Sequence, residues 1–278
     1  MSMSRIYTIR AIIKKEIVQF VRYPTWIIPM LIWPLIYPFL YILPGLSMAG
    51  PDGSGFQQFN SMANTNSFTG FIVIGTMVWM WANMTMWTFG TLIRSEQMRG
   101  TLESNWLCPI KHVDLLIGGA IVSIIINIVT IVISILEYKF IYGIHFTGNI
   151  LSWLICFLVI VPGIYGFGAI FASLVLWFKE TGAAVQIIRG FITIFCGISF
   201  PIMVLPDSLK FISDILPFTY GITLSRDVML NGLSIFSREA LANIIPALFI
   251  GTILLVLGRI CFLKVERKVK NEGSLERF

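Results

Sequence analysis

Arg94-Ser95-Glu96-Gln97-Met98-Arg99-Gly100-Thr101-Leu102-Glu103 stands between two apolar runs, residues 71–93 and 115–136, each long enough to cross a bilayer. A hydrocarbon core of roughly 30 Å needs about 20 mostly apolar residues in a helix. A compact wedge carrying both signs of charge between two such runs reads as a device and not as a spacer. Its setting explains why. Of 278 residues, 56% are hydrophobic and 12% charged, with a mean hydropathy of +0.85, whereas a soluble domain carries about 25% charged residues. This composition is that of an integral membrane protein.

Outward from the wedge, six stretches qualify as spans: residues 26–43, 71–93, 115–136, 151–178, 183–204 and 241–263. Segments so continuously apolar satisfy their backbone only as helices, and alternating barrel strands do not fit them. The expected fold is an all-α membrane domain of six transmembrane helices over residues 1–278. Basic residues cluster in the amino-terminal region (Arg5, Arg10, Lys14, Lys15, Arg22), after the second span (Arg94, Arg99, Lys111), after the fourth (Lys179) and in the tail (Lys264, Arg267, Lys268, Lys270, Arg277). Only Lys139, Lys210, Arg226 and Arg238 fall in the opposite loops. Retention of positive charge in short cytoplasmic loops then puts both termini inside. The net charge of +6 follows from topology, and no basic, aromatic surface suited to stacking bases calls for a nucleic-acid partner.

Residues 1–25 are too interrupted by Lys14, Lys15 and Glu16 for a signal peptide, and no small-residue cleavage site follows. Ile6, Ile9, Ile13, Ile17 and Phe20 recur at spacings of three or four, with Arg10, Lys14 and Lys15 off that stripe. The pattern predicts an interfacial helix lying along lipid headgroups, or one resting on a partner's surface.

Chemistry is conspicuous by what is missing from the chain. Cys108, Cys156, Cys196 and Cys261 have no close pairing, and His112 and His145 fall in loops on opposite sides, so no disulfide framework and no metal site is expected. No lysine follows a glycine, which excludes the phosphate-cradling loop G-x-x-x-x-G-K-[ST]. No nucleophile elbow or HExxH helix is present. Any work driven by nucleotide hydrolysis requires an ATPase on another chain. Charge within spans is scarce: Arg189 and Arg259 lie near cytoplasmic ends, where long side chains snorkel, and no carboxylate sits mid-span. An ion-coupled cycle lacks its usual handle.

Between the fifth and sixth spans, Pro201, Pro206 and Pro217 punctuate pieces too short to cross. Asp207 or Ser208 can cap a short helix whose Leu209, Ile212, Ile215 and Leu216 form one apolar face. A second is expected from Tyr220 to Leu230, ending near Asn231-Gly232. Apolar helices of about ten residues are re-entrant or interfacial, so residues 206–232 are read as two re-entrant helices, with an ordinary outer loop as the other reading.

Three places together resemble the permease subunits of type-2 ABC exporters, and the resemblance covers essentially the whole chain. Glu96, then Gly100-Thr101-Leu102-Glu103, then Pro109 is similar to that family's charged coupling segment. Gly197-Ile198-Ser199-Phe200-Pro201-Ile202, Leu205-Pro206 and Leu216-Pro217-Phe218-Thr219-Tyr220, followed by Arg226 and Gly232, looks like its carboxy-terminal signature. The amphipathic helix before the first span is the third. The chain departs from the pattern at Gln97-Met98, where many members carry more charge, and at Cys108-Pro109, where many have Thr-Pro.

The resemblance implies two six-span subunits, identical or siblings, each resting on a cytoplasmic ABC ATPase in a cell membrane, a bacterial inner membrane. ATP and magnesium would be held by the two ATPase copies, with no cofactor on this chain. Residues 94–114 would be the coupling segment, with Arg94, Glu96, Arg99 and Glu103 available for charge pairing, Gly100 permitting a tight turn, and Thr101, Leu102 and Pro109 completing it. The short helices with Pro201, Pro206, Pro217 and Tyr220 would shape the exit. Met77, Trp81 and Thr85 share one face of the second span and are candidates for the substrate path, with Phe195 and Ser199; packing or lipid contact accounts for that Met- and Trp-rich composition equally well. The expected cargo is amphipathic: a drug, lipid, lipid-linked glycan or hydrophobic peptide. A secondary transporter, or a non-catalytic membrane immunity or interaction protein, is the alternative.

Overall fold

The computed structural model describes residues 3–50, 54–98, 112–178 and 182–271. All regular structure among them is helical: α1 Met3–Arg22, α2 Ile27–Met48, α3 Ser54–Ala63, α4 Phe68–Met98, α5 Val113–Phe140, α6 Ile150–Phe178, α7 Gly182–Phe195, α8 Asp207–Ile215, α9 Pro217–Met229 and α10 Arg238–Asn271, with 3-10 turns at Pro24–Trp26 and Ile202–Val204. Five helical stretches are long and apolar enough to cross a membrane: Pro24–Met48, Phe68–Leu92, Val113–Phe140, Ile150–Trp177 and Arg238–Val269. The chain is a multi-pass helical membrane protein.

Burial ranks the helices. In α4, 83% of the apolar window is buried, against 22% in α2 and 17% in α10. α4 sits at the centre, touching α2, α5, α6, α7 and α9, and it is the least apolar of the five, with a mean hydropathy of 1.2 against 1.8 to 2.7. Its Met and Trp residues are packing first: Met77, Trp79, Trp81 and Met86 are all buried.

The expected span over residues 183–204 is the one that differs. α7 stops at Phe195. Gly197 then takes φ +66°, a left-handed turn that favours glycine, and Pro201 precedes the 3-10 turn. Fourteen residues rise about 21 Å, short of a hydrocarbon core of roughly 30 Å.

The two short helices also depart in detail. No side chain caps α8, which follows Pro206 directly; Asp207 instead accepts a 2.6 Å bond from Lys210. Leu209 and Ile215 of its expected apolar face are exposed. α9 begins at Pro217, earlier than Tyr220, because proline's fixed φ and missing N–H suit a first helical position. Nearly every residue of α9 is buried against α4, α6 and α10.

Polar contacts close the two ends of the bundle. At one end Arg5 donates to both Asp114 oxygens, at 3.1 and 2.5 Å, and His112 Nδ1 meets Glu266 Oε1 at 2.7 Å. α1 therefore docks on the start of α5, burying Ile9 and Ile12 and laying Ile12 over Gly118, while Ile6 and Ile17 stay exposed. At the other end the Thr147 N–H donates to the Met229 carbonyl at 2.8 Å, and Trp153 Nε1 to the Thr147 carbonyl at 2.8 Å.

Asp114 is 1% exposed. Asp114→Asn leaves Arg5 without its bidentate partner, so tryptic cleavage at Arg10, Lys14 and Lys15 should become several-fold faster. Unchanged cleavage would mean that the Ile9 and Ile12 contacts alone hold α1.

Candidate functional site

A cavity of about 420 Å³ lies between α2, α4, α5 and α7. Helical spacing brings one face of each helix to it: Met30, Trp33 and Tyr37 along α2, with Trp26 of the 3-10 turn just before it; Met77, Trp81, Met84 and Trp87 along α4; Asn127, Thr130, Ile131 and Ser134 along α5; Gln186 and Arg189 along α7. Its size and its mostly apolar wall with few polar groups fit a small-molecule site.

The α5 polar groups are partly spent on their own helix. Asn127 Nδ2 donates to the Ser123 carbonyl at 2.8 Å, Thr130 to the Ile126 carbonyl at 3.0 Å and Ser134 to the Thr130 carbonyl at 2.8 Å. The hydroxyls thereby keep acceptor capacity. Behind this wall, Trp81 Nε1 donates to the Tyr165 hydroxyl at 3.4 Å, which donates to Ser123 Oγ at 3.2 Å. That relay ties α4, α6 and α5 together and fixes the Trp81 ring.

On the α7 side, the Arg189 guanidinium carbon stands 5.2 Å from the Trp79 ring centre and 5.6 Å from that of Tyr37. Such distances are those of a cation over aromatic faces. Tyr37 and Trp79 are themselves edge-to-face at 4.8 Å.

A model described as ABC-2 family transporter protein matches residues 47–260, most of the chain. The chain belongs to the ABC-2 transporter family. No curated protein matches it. The matched range takes in α3 to α9 and most of α10, so the cavity is an ABC-2 permease cavity on three of its four sides.

Met77 and Trp81 of the expected substrate path line the permease cavity. Thr85 does not; it is fully buried against Gly168 of α6. Phe195, half-buried, lies tilted against Phe191 with ring centres 4.4 Å apart, and Ser199 lies in the turn after α7; neither lines the cavity. Pro201 is buried, Pro206 exposed, and Pro217 lies against Gly163 of α6. Tyr220 donates its hydroxyl to the Asp214 carbonyl at 3.0 Å, linking α9 to α8. Of the coupling residues, Arg99, Gly100, Thr101, Leu102, Glu103 and Pro109 lie outside the described residues; the backbone at Arg94 and Glu96 continues α4, their side chains lying outside as well.

Two arginines of the permease sit elsewhere than the sequence suggests. Arg189 reads as a snorkelling residue but lines the cavity. The sequence signal was its position three residues after Gln186, which puts two polar groups on one helix face. Arg226, expected in the short helix from Tyr220 to Leu230 and counted with the outer loops, is buried in α9, donating to the backbone carbonyls of Phe71, Gly197 and Ile198.

Proposed function

We propose that this permease is the membrane subunit of an ATP-driven exporter and that the α2/α4/α5/α7 cavity receives an amphipathic molecule: a drug, lipid, lipid-linked glycan or hydrophobic peptide. The observation that carries the reading is the cavity wall. Trp and Met side chains adapt to varied apolar shapes, and Asn127, Gln186 and Arg189 offer a polar end to the same space. A proton- or sodium-coupled carrier is less well supported, since no carboxylate lines the cavity among the described residues.

In this reading two ATPase copies hold ATP and magnesium, and a second permease, identical or a sibling, completes the complex. Residues 94–114 dock on the ATPase from the cytoplasm, where both termini also lie. α1 rests at the headgroups with Ile6 and Ile17 toward lipid. α7 and residues 196–206 together make the sixth passage, and α8 and α9 re-enter the outer leaflet of the cell membrane beside the exit.

Gentle purification from the native membrane tests the reading. An ATPase subunit should travel with the wild-type chain, and the pair Glu96→Ala, Glu103→Ala should lower substrate-stimulated turnover by at least about tenfold, the scale expected when charged contacts at an interface are truncated. No associated ATPase in several mild detergents would remove the exporter reading, and ion-gradient dependence should then be measured.

A further inference from the structure

We propose that Arg189 makes the permease cavity selective for anionic amphiphiles, pairing its guanidinium with an acidic headgroup while the Trp and Met wall takes the apolar tail. The proposal rests on the transport reading above and names the class of molecule that occupies that site.

Three other cations of the described chain are spent on partners of their own. Arg226, fully inside the protein, spends its guanidinium on four bonds to three carbonyls. Arg5 is paired with Asp114 and Lys210 with Asp207. Arg189, among the described residues, has neither an ion pair nor a hydrogen bond from its guanidinium; its contacts are the faces of Tyr37 and Trp79. It lies seven residues into α7, about 10 Å along the axis from Gly182. The two rings, edge-to-face to each other, attract the charge without using its N–H groups, and a guanidinium fork matches phosphate and carboxylate oxygens bidentately. With no carboxylate in the described lining, the cavity carries an uncompensated positive charge.

Asn83, 9% exposed, lines the same cavity, and its amide adds a neutral polar group and no negative charge to the wall. An Arg189 serving only to staple α7 to α2 and α4 would explain the ring contacts but not the unbonded N–H groups that line the cavity.

The test uses the full chain in phosphatidylcholine nanodiscs without nucleotide, reading quenching of tryptophan fluorescence by three bromododecyl probes of one chain length with phosphate, trimethylammonium or maltoside heads. Saturable quenching by the phosphate probe is expected, at least about tenfold tighter than by the maltoside, with the ammonium weakest. R189Q should remove the difference. R189K, which keeps the charge but not the fork, should keep the anionic preference with affinity a few-fold lower, a readout that stands even where R189Q does not fold. Equal quenching by the three probes in wild type, or preference retained in a folded R189Q, overturns the proposal. So does inorganic phosphate competing as well as the long-chain phosphate, since the tail would then contribute nothing. Phosphatidylglycerol added to the discs separates the sources: competition assigns the site to a membrane lipid, its absence to a diffusible amphiphile, and both keep the anionic class. Because no ATPase is present, failure here leaves the exporter reading standing, and failure of ATPase copurification leaves the binding result intact.

Discussion

Replacing Arg226 with glutamine is expected to destabilise the permease by about 3 kcal/mol or more. Arg226 Nε and Nη2 donate to the Phe71 carbonyl at 3.1 and 3.0 Å, Nη1 to the Gly197 carbonyl at 2.8 Å and Nη2 also to the Ile198 carbonyl at 3.0 Å. The guanidinium also stacks on the Phe71 ring at 3.3 Å. Glutamine cannot reach all three carbonyls, and each bond from a charged donor contributes about 1.5 to 3 kcal/mol. Losing a pair of them already reaches the expected figure, a fall in the unfolding midpoint on the order of 10 °C, measured by thermal unfolding in detergent. Gly75→Ala should behave similarly, since a Cβ there would collide with Arg226 Nη2 and lie 2.6 Å from the Ile198 carbonyl oxygen. A midpoint that moves by less than about 3 °C in R226Q would mean that water reaches these carbonyls.

Gly166→Leu is expected to force apart the most extensive helix pair of the fold, α6 and α10. Their backbones touch through small residues. A Cβ at Gly166 would lie 2.5 Å from the Leu255 nitrogen, one at Gly251 2.7 Å from the Gly163 nitrogen, and one at Gly258 2.8 Å from the Gly166 carbonyl oxygen. Small residues let membrane helices approach this closely, and van der Waals packing then holds them. Backbone atoms cannot rotate aside as a side chain does, so the helices must part. A loss of roughly 3 kcal/mol is expected, seen as loss of a monodisperse peak on mild heating. Gly190→Ala is the matched control: a Cβ there meets nothing within 4 Å, and alanine favours a helix by roughly 0.5–1 kcal/mol. Loss of the peak in both variants would assign the effect to something other than the α6–α10 approach.

Five of the six expected spans are helices long and apolar enough to cross a membrane, because length and apolarity are what a bilayer selects. Residues 183–204 are not one such helix, and apolarity is the same whether a residue lies in a helix or in a turn packed inside protein. The left-handed turn at Gly197 is a local geometry that a hydropathy run does not carry. Of the face read on α4, Met77 and Trp81 line the cavity and Thr85 does not. Steps of four residues overshoot a turn, so eight residues carry a side chain about 80° around the axis, whereas Met84, seven residues on, stays in line and reaches the cavity. Arg226 was illegible for another reason. Its partners are backbone carbonyls, which every residue has and no sequence pattern announces.

The early end of α7 also bears on how the protein is made. Residues 182–195 emerge from the ribosome as an apolar helix too short to settle across a bilayer, and the carbonyls just beyond it stay unpaired until Arg226, 29 residues after Gly197, has been synthesised. The turn beyond α7 is therefore closed late, only when α9 arrives, and a chain ending before residue 226 would leave the Gly197 and Ile198 carbonyls without their guanidinium.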